Sequence, residues 1–216
     1  MAAAIDDKET PVIYIVDDDV SMREALFDLF GSMNLKAITF ESPADFLAKA
    51  NLDRSGCIVL DVRLPGISGL DFQTHLSNLG CTMPIIFMTG FGDISMSVRA
   101  MKAGAVDFLP KPFKDQEILD AVVNAIERDK IWRNMQRNVQ LVEGRIRSLT
   151  AREREVMNAV VQGMMNKQIA YALGITEITV KLHRGNVMRK MAVRSVAELV
   201  RMVELAPNGS SVEGGK

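Results

Sequence analysis

Four short apolar runs along the chain each stop at a polar residue that burial alone would not select. Residues 12–16 precede Asp17 and Asp18, 58–60 precede Asp61, 85–88 precede Thr89, and 106–110 precede Lys111. Runs of this length bounded by turn and helix signals read as buried parallel strands. In open parallel sheets ligands bind beyond the carboxyl ends of the strands, so the four polar ends are expected to meet at one edge.

Helix signals fill the gaps between the runs. Ser21-Met22-Arg23-Glu24 fits a capping box that opens a helix with apolar Ala25, Leu26, Leu29 and Phe30, and Gly31 suits its end. Residues 37–40 read as a short strand, followed by Ser42 as N-cap, Pro43 at the first helical position, and Phe46 and Leu47 facing inward. The alternation continues with strands at 57–60, 84–88 and 105–109 and helices at 70–79, 94–103 and 115–127. Five strand-helix units predict an α/β domain built on a five-stranded, doubly wound parallel sheet after a flexible start at 1–10.

Over 131–147 the apolar stripe narrows to Ile131, Met135, Val139, Val142 and Ile146, a coiled-coil-like seam. A helical linker at 129–147 is expected, either packing on its own domain or pairing subunits and coupling domains. A small all-α domain of four short helices is expected at 148–205. Thr150-Ala151-Arg152-Glu153 is a second capping box, opening a helix with Val156, Met157, Val160 and Val161 before Gly163. Asn166 caps the next helix, with Ile169, Ala170 and Leu173 inward, and Gly174 makes the turn. Thr176 caps a third helix with a buried stripe of Val180, Val187 and Met191, and Ser195-Val196-Ala197-Glu198 opens a fourth as another capping box. Helices of this length around a glycine turn read as helix-turn-helix. Residues 206–216, rich in Gly and Ser, are expected to be a disordered tail.

Charge divides the chain in the same place. Residues 1–130 carry 12 Lys+Arg against 20 Asp+Glu, and residues 131–216 carry 14 against 7, so an overall charge of −1 hides an acidic front and a basic back. That is the pattern of one half handling cations and the other meeting phosphates. No apolar run approaches the roughly 18 residues of a membrane span, and the start MAAAIDDKET lacks a secretory signal. Cys57 and Cys81 form neither a metal motif nor a disulfide framework, as expected of free thiols in a cytoplasmic protein.

Three carboxylates converging on one edge repel, so they must take up protons or share a cation. Oxygen ligands without His or Cys nearby point to a hard ion, Mg²⁺ best, with Mn²⁺ as an alternative. An Asp after a strand is often only a cap or turn residue, but four aligned strand ends favour a site. Asp19 is expected to face solvent or cap the first turn, and His75 to be a surface residue.

Asp17-Asp18, Asp61, Thr89 and Lys111 followed by Pro112, in this order and at these strand ends, resemble the receiver domain of two-component response regulators, which implies a flavodoxin-like sheet over 11–128. The resemblance implies that Asp61 accepts a phosphoryl group from a phosphohistidine on a sensor histidine kinase. It implies that Asp18, Asp61 and the Arg63 backbone carbonyl bind Mg²⁺, with Asp17 reaching it through water. By the same resemblance Lys111 pairs with phosphoryl oxygens, and Lys111-Pro112 is a cis peptide. Thr89 is drawn toward the phosphoryl group while Phe108 turns inward, a packing switch.

In the tail, the buried stripe leaves Ile178, Lys181, Leu182, Gly185 and Arg189 pointing outward, a face suited to thymine methyls, guanine or phosphate. The blocks Leu149–Val156, 163–170 and 179–183 resemble the LuxR-type helix-turn-helix. Receiver plus this tail is similar to the FixJ/NarL type of response regulator, and Thr89-Gly90-Phe91-Gly92-Asp93 with Met101-Lys102-Ala103-Gly104-Ala105 leans toward FixJ. That implies base contacts from Lys181, Leu182 and Gly185 and phosphate contacts from Asn166, Lys167, Thr179 and Arg184 in double-stranded promoter DNA. Glycine at 185 departs from relatives with a longer side chain there, and His183 is expected to pack near the core. The implied protein is a transcription regulator, by family habit an activator acting with RNA polymerase. Phosphorylation would make it a homodimer through residues 94–109. Its only catalysis would be phosphorylation and dephosphorylation of its own Asp61, and the DNA-binding tail argues against the alternative of a Mg²⁺ phosphatase.

Overall fold

The computed structural model describes residues 10–90 and 94–205. The expected flexible start, apart from Thr10, and the expected disordered tail at 206–216 lie outside the described residues, as does Phe91-Gly92-Asp93. Two compact units meet between Arg133 and Asn134.

In the first unit the strands are β1 (Val12–Val16), β2 (Lys36–Phe40), β3 (Gly56–Asp61), β4 (Ile85–Thr89) and β5 (Asp107–Pro110). They pair in parallel in the order β2-β1-β3-β4-β5. The helices between and after them are α1 (Val20–Ser32), α2 (Pro43–Lys49), α3 (Gly69–Asn78), α4 (Ile94–Lys102) and α5 (Asp115–Arg147). The period-two geometry of a strand divides its side chains between two cores. Val12, Tyr14 and Val16 join Phe40, Phe46, Phe72 and Phe87 on one face, while Ile13 and Ile15 join Leu26, Phe30, Ile118 and Val122 on the other. Phe46 is the hub of the first face, edge-on to Tyr14 at 5.6 Å and to Phe72 at 5.8 Å between ring centroids. Truncating such a ring to Ala costs about 3–5 kcal/mol.

Several expected local signals resolve differently. Asp19, not Ser21, caps α1: its side chain accepts from the Ser21 N–H at 2.9 Å, and Ala25 is exposed. Gly31 lies inside α1, and Asn34 at φ 56° takes the left-handed position beyond its end. There the Asn34 N–H donates to Gly31 O and the Leu35 N–H to Phe30 O. Ser42 and Pro43 open α2 as expected, but Leu47 is exposed, because a seven-residue helix buries only Phe46 and Pro43 deeply.

The largest difference is α5. The expected break between a helix ending at 127 and a linker does not occur; one helix runs for 33 residues. Ile131 and Met135 of the expected seam are exposed, whereas Val142 is buried and Val139 and Ile146 are half-buried. A buried network anchors the helix in the first unit. The Asp129 carboxylate accepts from Ser55 Oγ at 2.7 Å, the Gly56 N–H at 3.0 Å and Arg133 Nε at 2.8 Å, while Arg133 donates onward to Asp53 O and Arg54 O.

The second unit packs the end of α5 with α6 (Ala151–Val161), α7 (Asn166–Leu173), α8 (Glu177–Met191) and α9 (Val196–Glu204). Val156, Met157, Ile169, Val180, Val187, Met191, Leu199 and Val203 form its core. Arg145 Nη1 donates to Met191 O at 3.0 Å and ties the end of α5 to α8. The Thr150 capping box and the Thr176 cap form as expected. Asn166 is the first residue of α7 rather than its cap; Met165 occupies that position, its N–H donating to the Gln168 side chain. At α9 only half the expected box forms, because Glu198 reaches past Ser195 to the Arg194 N–H. Gly174 at φ 65° supplies the left-handed residue that ends α7 and turns the chain toward α8.

Candidate functional site

The parallel register brings the strand ends level. Val16 pairs with Leu60, Asp61 with Met88, and Thr89 with Pro110, so Asp17, Asp61, Thr89 and Lys111 all emerge at one edge. The Lys111 N–H donates to Thr89 O at 2.7 Å, and the Lys111–Pro112 peptide is cis. Lys111 Nζ lies 2.7 Å from Asp17 Oδ2 and 2.6 Å from Asp61 Oδ2. Asp61 Oδ1 accepts from the Arg63 N–H at 2.9 Å, which holds the loop after β3 against the carboxylate. Asp17 Oδ1 accepts from the Asp19 N–H at 2.9 Å, and Arg23 Nη1 donates to Asp17 O at 2.7 Å.

Electrostatics follow from this crowding. Burial raises the Asp17 carboxyl above the ordinary carboxylate range, more than Lys111 and the Asp19 N–H lower it. Burial opposes charge on Lys111, yet hydrogen bonds to Asp17 and Asp61 raise its ammonium on balance. Asp17, Asp18 and Asp61 each offer an oxygen, all within 4.8 Å of one another. Asp18 is exposed, Asp17 fully buried and Asp61 nearly so. An all-oxygen set with one ligand open to water fits a hard divalent ion that keeps part of its hydration shell.

Thr89 is fully buried at the end of β4. Phe108 is half-buried and sits in register with Phe87, their rings 6.3 Å apart and tilted. Gly69, which sequence reasoning passed over, packs directly against the site: a Cβ there would lie 2.5 Å from Asp61 O. Only a residue without a side chain lets α3 begin against the backbone of Asp61. His75 is exposed, and Asp19 serves as the α1 cap.

In the second unit, α8 presents Ile178 at 80% exposure and Leu182 at 63%, with Lys181 and Gly185 also exposed. Arg184 Nη1 donates to Asn166 Oδ1 at 2.6 Å, joining two of the expected phosphate contacts at the start of α7 and the middle of α8. Lys167 is exposed, and Thr179 is half-buried in the first turn of α8, its Oγ1 2.9 Å from that of Thr176. His183 is half-buried, and among the described residues its Nδ1 has no hydrogen-bond partner. Tyr171 on α7, 92% exposed, had no periodic signal to mark it.

Sheet order, strand-end acids and lysine, and a separate helix-turn-helix together define a receiver joined to a DNA-binding module. Residues 13–123 match the response regulator receiver domain, and residues 147–203 match the luxR family of bacterial regulatory proteins. The chain belongs to the response regulators of the FixJ/NarL type, transcription regulators that join these two domains. It is 54% identical over 193 residues to Nodulation protein W of Bradyrhizobium diazoefficiens, covering 89% of this chain and 85% of that one. It is 46% identical to Transcriptional regulatory protein FixJ of Azorhizobium caulinodans over 92% of this chain and 94% of that one. Among solved structures, response regulator StyR matches with a TM-score of 0.83 at 45% identity, covering 90% of this chain and 98% of that one. Among the described residues no helix is long and apolar enough to cross a membrane.

Proposed function

We propose that Asp61 is the phosphoacceptor and that its phosphorylation controls promoter binding by α8. The reading is carried by the contact of Lys111 Nζ with Asp61 Oδ2 at the acidic edge of the sheet. An Asp61 oxygen attacks the phosphorus of a phosphohistidine on the sensor kinase; the P–N bond breaks and its electron pair returns to the imidazole. Lys111, already placed between two carboxylates, stabilises the charge that develops on the phosphoryl oxygens. Asp18, Asp61 and the Arg63 carbonyl would hold Mg²⁺ or Mn²⁺, with Asp17 reaching it through water; the ion supplies further charge neutralisation. Thr89 and Phe108 form the switch. Slow hydrolysis of the acyl phosphate returns Asp61 to its resting state.

Phosphorylation then favours a homodimer through α4 and β5, where Val98 and Met101 are exposed. Two second units engage promoter half-sites about 34 Å apart. Lys181, Leu182 and Gly185 face bases, while Asn166, Lys167, Thr179 and Arg184 contact phosphates. Recruitment of RNA polymerase would make the protein an activator, working in the cytoplasm beside the chromosome. The domain limits that accompany this reading are 11–128 for the receiver, 129–147 for the linker part of α5, and 148–205 for the DNA-binding domain.

Intact mass spectrometry after incubation with acetyl phosphate and Mg²⁺ tests the central step. One phosphoryl group on the wild type and none on Asp61→Asn supports it. No adduct on the wild type, while a known receiver reacts in parallel, overturns it.

A further inference from the structure

Three residues stand in line on the outward face of α8. At about 100° per residue, Ile178, Leu182 and Gly185 lie above one another on the side opposite Val180, Val187 and Met191, which are buried in the core of the second unit. All three outward residues are exposed. Thr179 and Arg184, the proposed phosphate contacts of this helix, flank the line on either side. Glu177, the acidic residue of the first turn, lies off it on the side of Lys181.

Glycine inside a helix is destabilising relative to alanine, and at 185 the protein's own packing does not require it. A Cβ there would meet no atom within 4 Å, and Gly185 does not take the positive φ that Gly174 takes. Gly31 and Gly144 are equally uncrowded, but neither lies on the helix proposed to enter DNA. Glycine is the residue that lets a helix backbone come close to a ligand. Its two neighbours in line are large and apolar. Single exposed apolar residues are ordinary, yet Ile178 and Leu182 cover consecutive turns of one face, and Ile178 is the second residue of the helix. The N-terminal residues of a recognition helix are those that reach base edges.

We infer, on the reading of α8 as the helix that enters the major groove, that Gly185 seats it close to the groove floor and that Ile178 and Leu182 each pack on the C5-methyl of a thymine in the half-site. The chemistry of the groove selects that partner. Donors and acceptors on the base edges lose hydrogen bonds to water when an Ile or Leu side chain covers them, whereas the thymine methyl has none to lose. Ile178 thereby joins the residues that read sequence. Gly185 acts by clearance: it reads no base itself, and its missing side chain brings the two apolar residues within reach of the methyls.

The full-length protein, with acetyl phosphate and Mg²⁺ present, selects a preferred duplex from a random pool; deoxyuridine then replaces its thymines one at a time, which removes only the methyl. Binding followed by fluorescence anisotropy should weaken about three- to fivefold at two positions of each half-site, the worth of one buried methyl group. Ile178→Ala should remove most of the effect at one of these positions and Leu182→Ala at the other. Gly185→Leu places a better helix former at an uncrowded position, so it should equal or exceed wild type in thermal stability while binding the duplex at least about tenfold more weakly. Deoxyuridine tolerated at every position, methyl effects that persist in both alanine variants, or undiminished binding by Gly185→Leu would overturn the proposal and leave α8 as the DNA-reading helix. A pool that yields no preferred duplex would overturn both.

Discussion

The ammonium of Lys111 stands 2.6 Å from Oδ2 of Asp61, the same carboxylate whose other oxygen is held by the Arg63 N–H. Lys111 is thus in place before any phosphoryl group arrives, and two carboxylates keep it charged. Lys111→Met retains the stem and removes the charge. Phosphoryl uptake from acetyl phosphate should slow by roughly 10²-fold, the loss typical of a preorganised charge donor. Time-resolved mass spectrometry measures it, and a rate equal to wild type would remove Lys111 from the reaction.

Gly69 gives a second handle on the same site. The Cβ of Gly69→Ala would meet Asp61 O at 2.5 Å and the Phe87 ring at 3.2 Å. Either α3 or the end of β3 must shift, and the carboxylate moves with it. Phosphorylation should fall at least about tenfold, since displacements near 1 Å can cost far more, while cooperative unfolding is retained. Wild-type kinetics in a folded Gly69→Ala would mean that the backbone yields elsewhere.

The strand-end acids, Thr89 and Lys111 were legible because each closes a short, largely apolar run, and a parallel sheet leaves little choice about where such ends lie. The helix boundaries were less legible. Ser21 and Asp19 both have capping side chains, and the choice fell to Asp19 because β1 delivers the chain at that position. The run from Asp115 to Arg147 looked divided because its apolar stripe thins after Ile126. Its continuity is supported instead by polar contacts from Asp129 and Arg133 to residues 53–56, more than 70 positions away in sequence. Gly69 was unreadable for the same reason: its importance lies in the Asp61 carbonyl that the fold brings beside it.

The Asp129 network makes its own prediction. Asp129→Ala leaves the Ser55 hydroxyl, the Gly56 N–H and the Arg133 guanidinium without their buried acceptor. Removing one partner of a buried ion pair costs about 3–5 kcal/mol, so the denaturation midpoint of the first unit should drop sharply. Arg133→Ala should be destabilising as well, and the double variant should lose less than the two single losses combined. Additive losses in chemical denaturation would show that the two residues act separately.

Stability of the second unit should depend on pH through Glu153. Lys190 Nζ lies 2.6 Å from Glu153 Oε2, and with the Thr150 N–H it holds the carboxyl down at about 2, against 4.5 ordinarily. A carboxyl depressed in the folded state stabilises the fold at pH above its unfolded value, and the contribution fades as pH falls through the folded one. Wild type should therefore exceed Glu153→Gln in thermal stability at pH 6, and the gap should close between about pH 4.5 and pH 2. Thermal unfolding followed by circular dichroism gives the comparison; a gap independent of pH would assign the difference to packing.

Arg184 and Leu182 lie on one helix but should fail differently. Arg184 is held by Asn166 at 2.6 Å, and the phosphate contact proposed for it would carry no sequence information. Arg184→Ala should weaken binding by a similar factor on all sequences and reduce the slope of log K against log salt by about 1. Leu182, 63% exposed, has only its apolar surface to offer a base edge. Leu182→Ala should leave the salt slope unchanged and reduce the preference for a duplex selected from a random pool. Fluorescence anisotropy over a salt series separates the two effects, and a change in slope for Leu182→Ala with none for Arg184→Ala would reverse the assignment of the face.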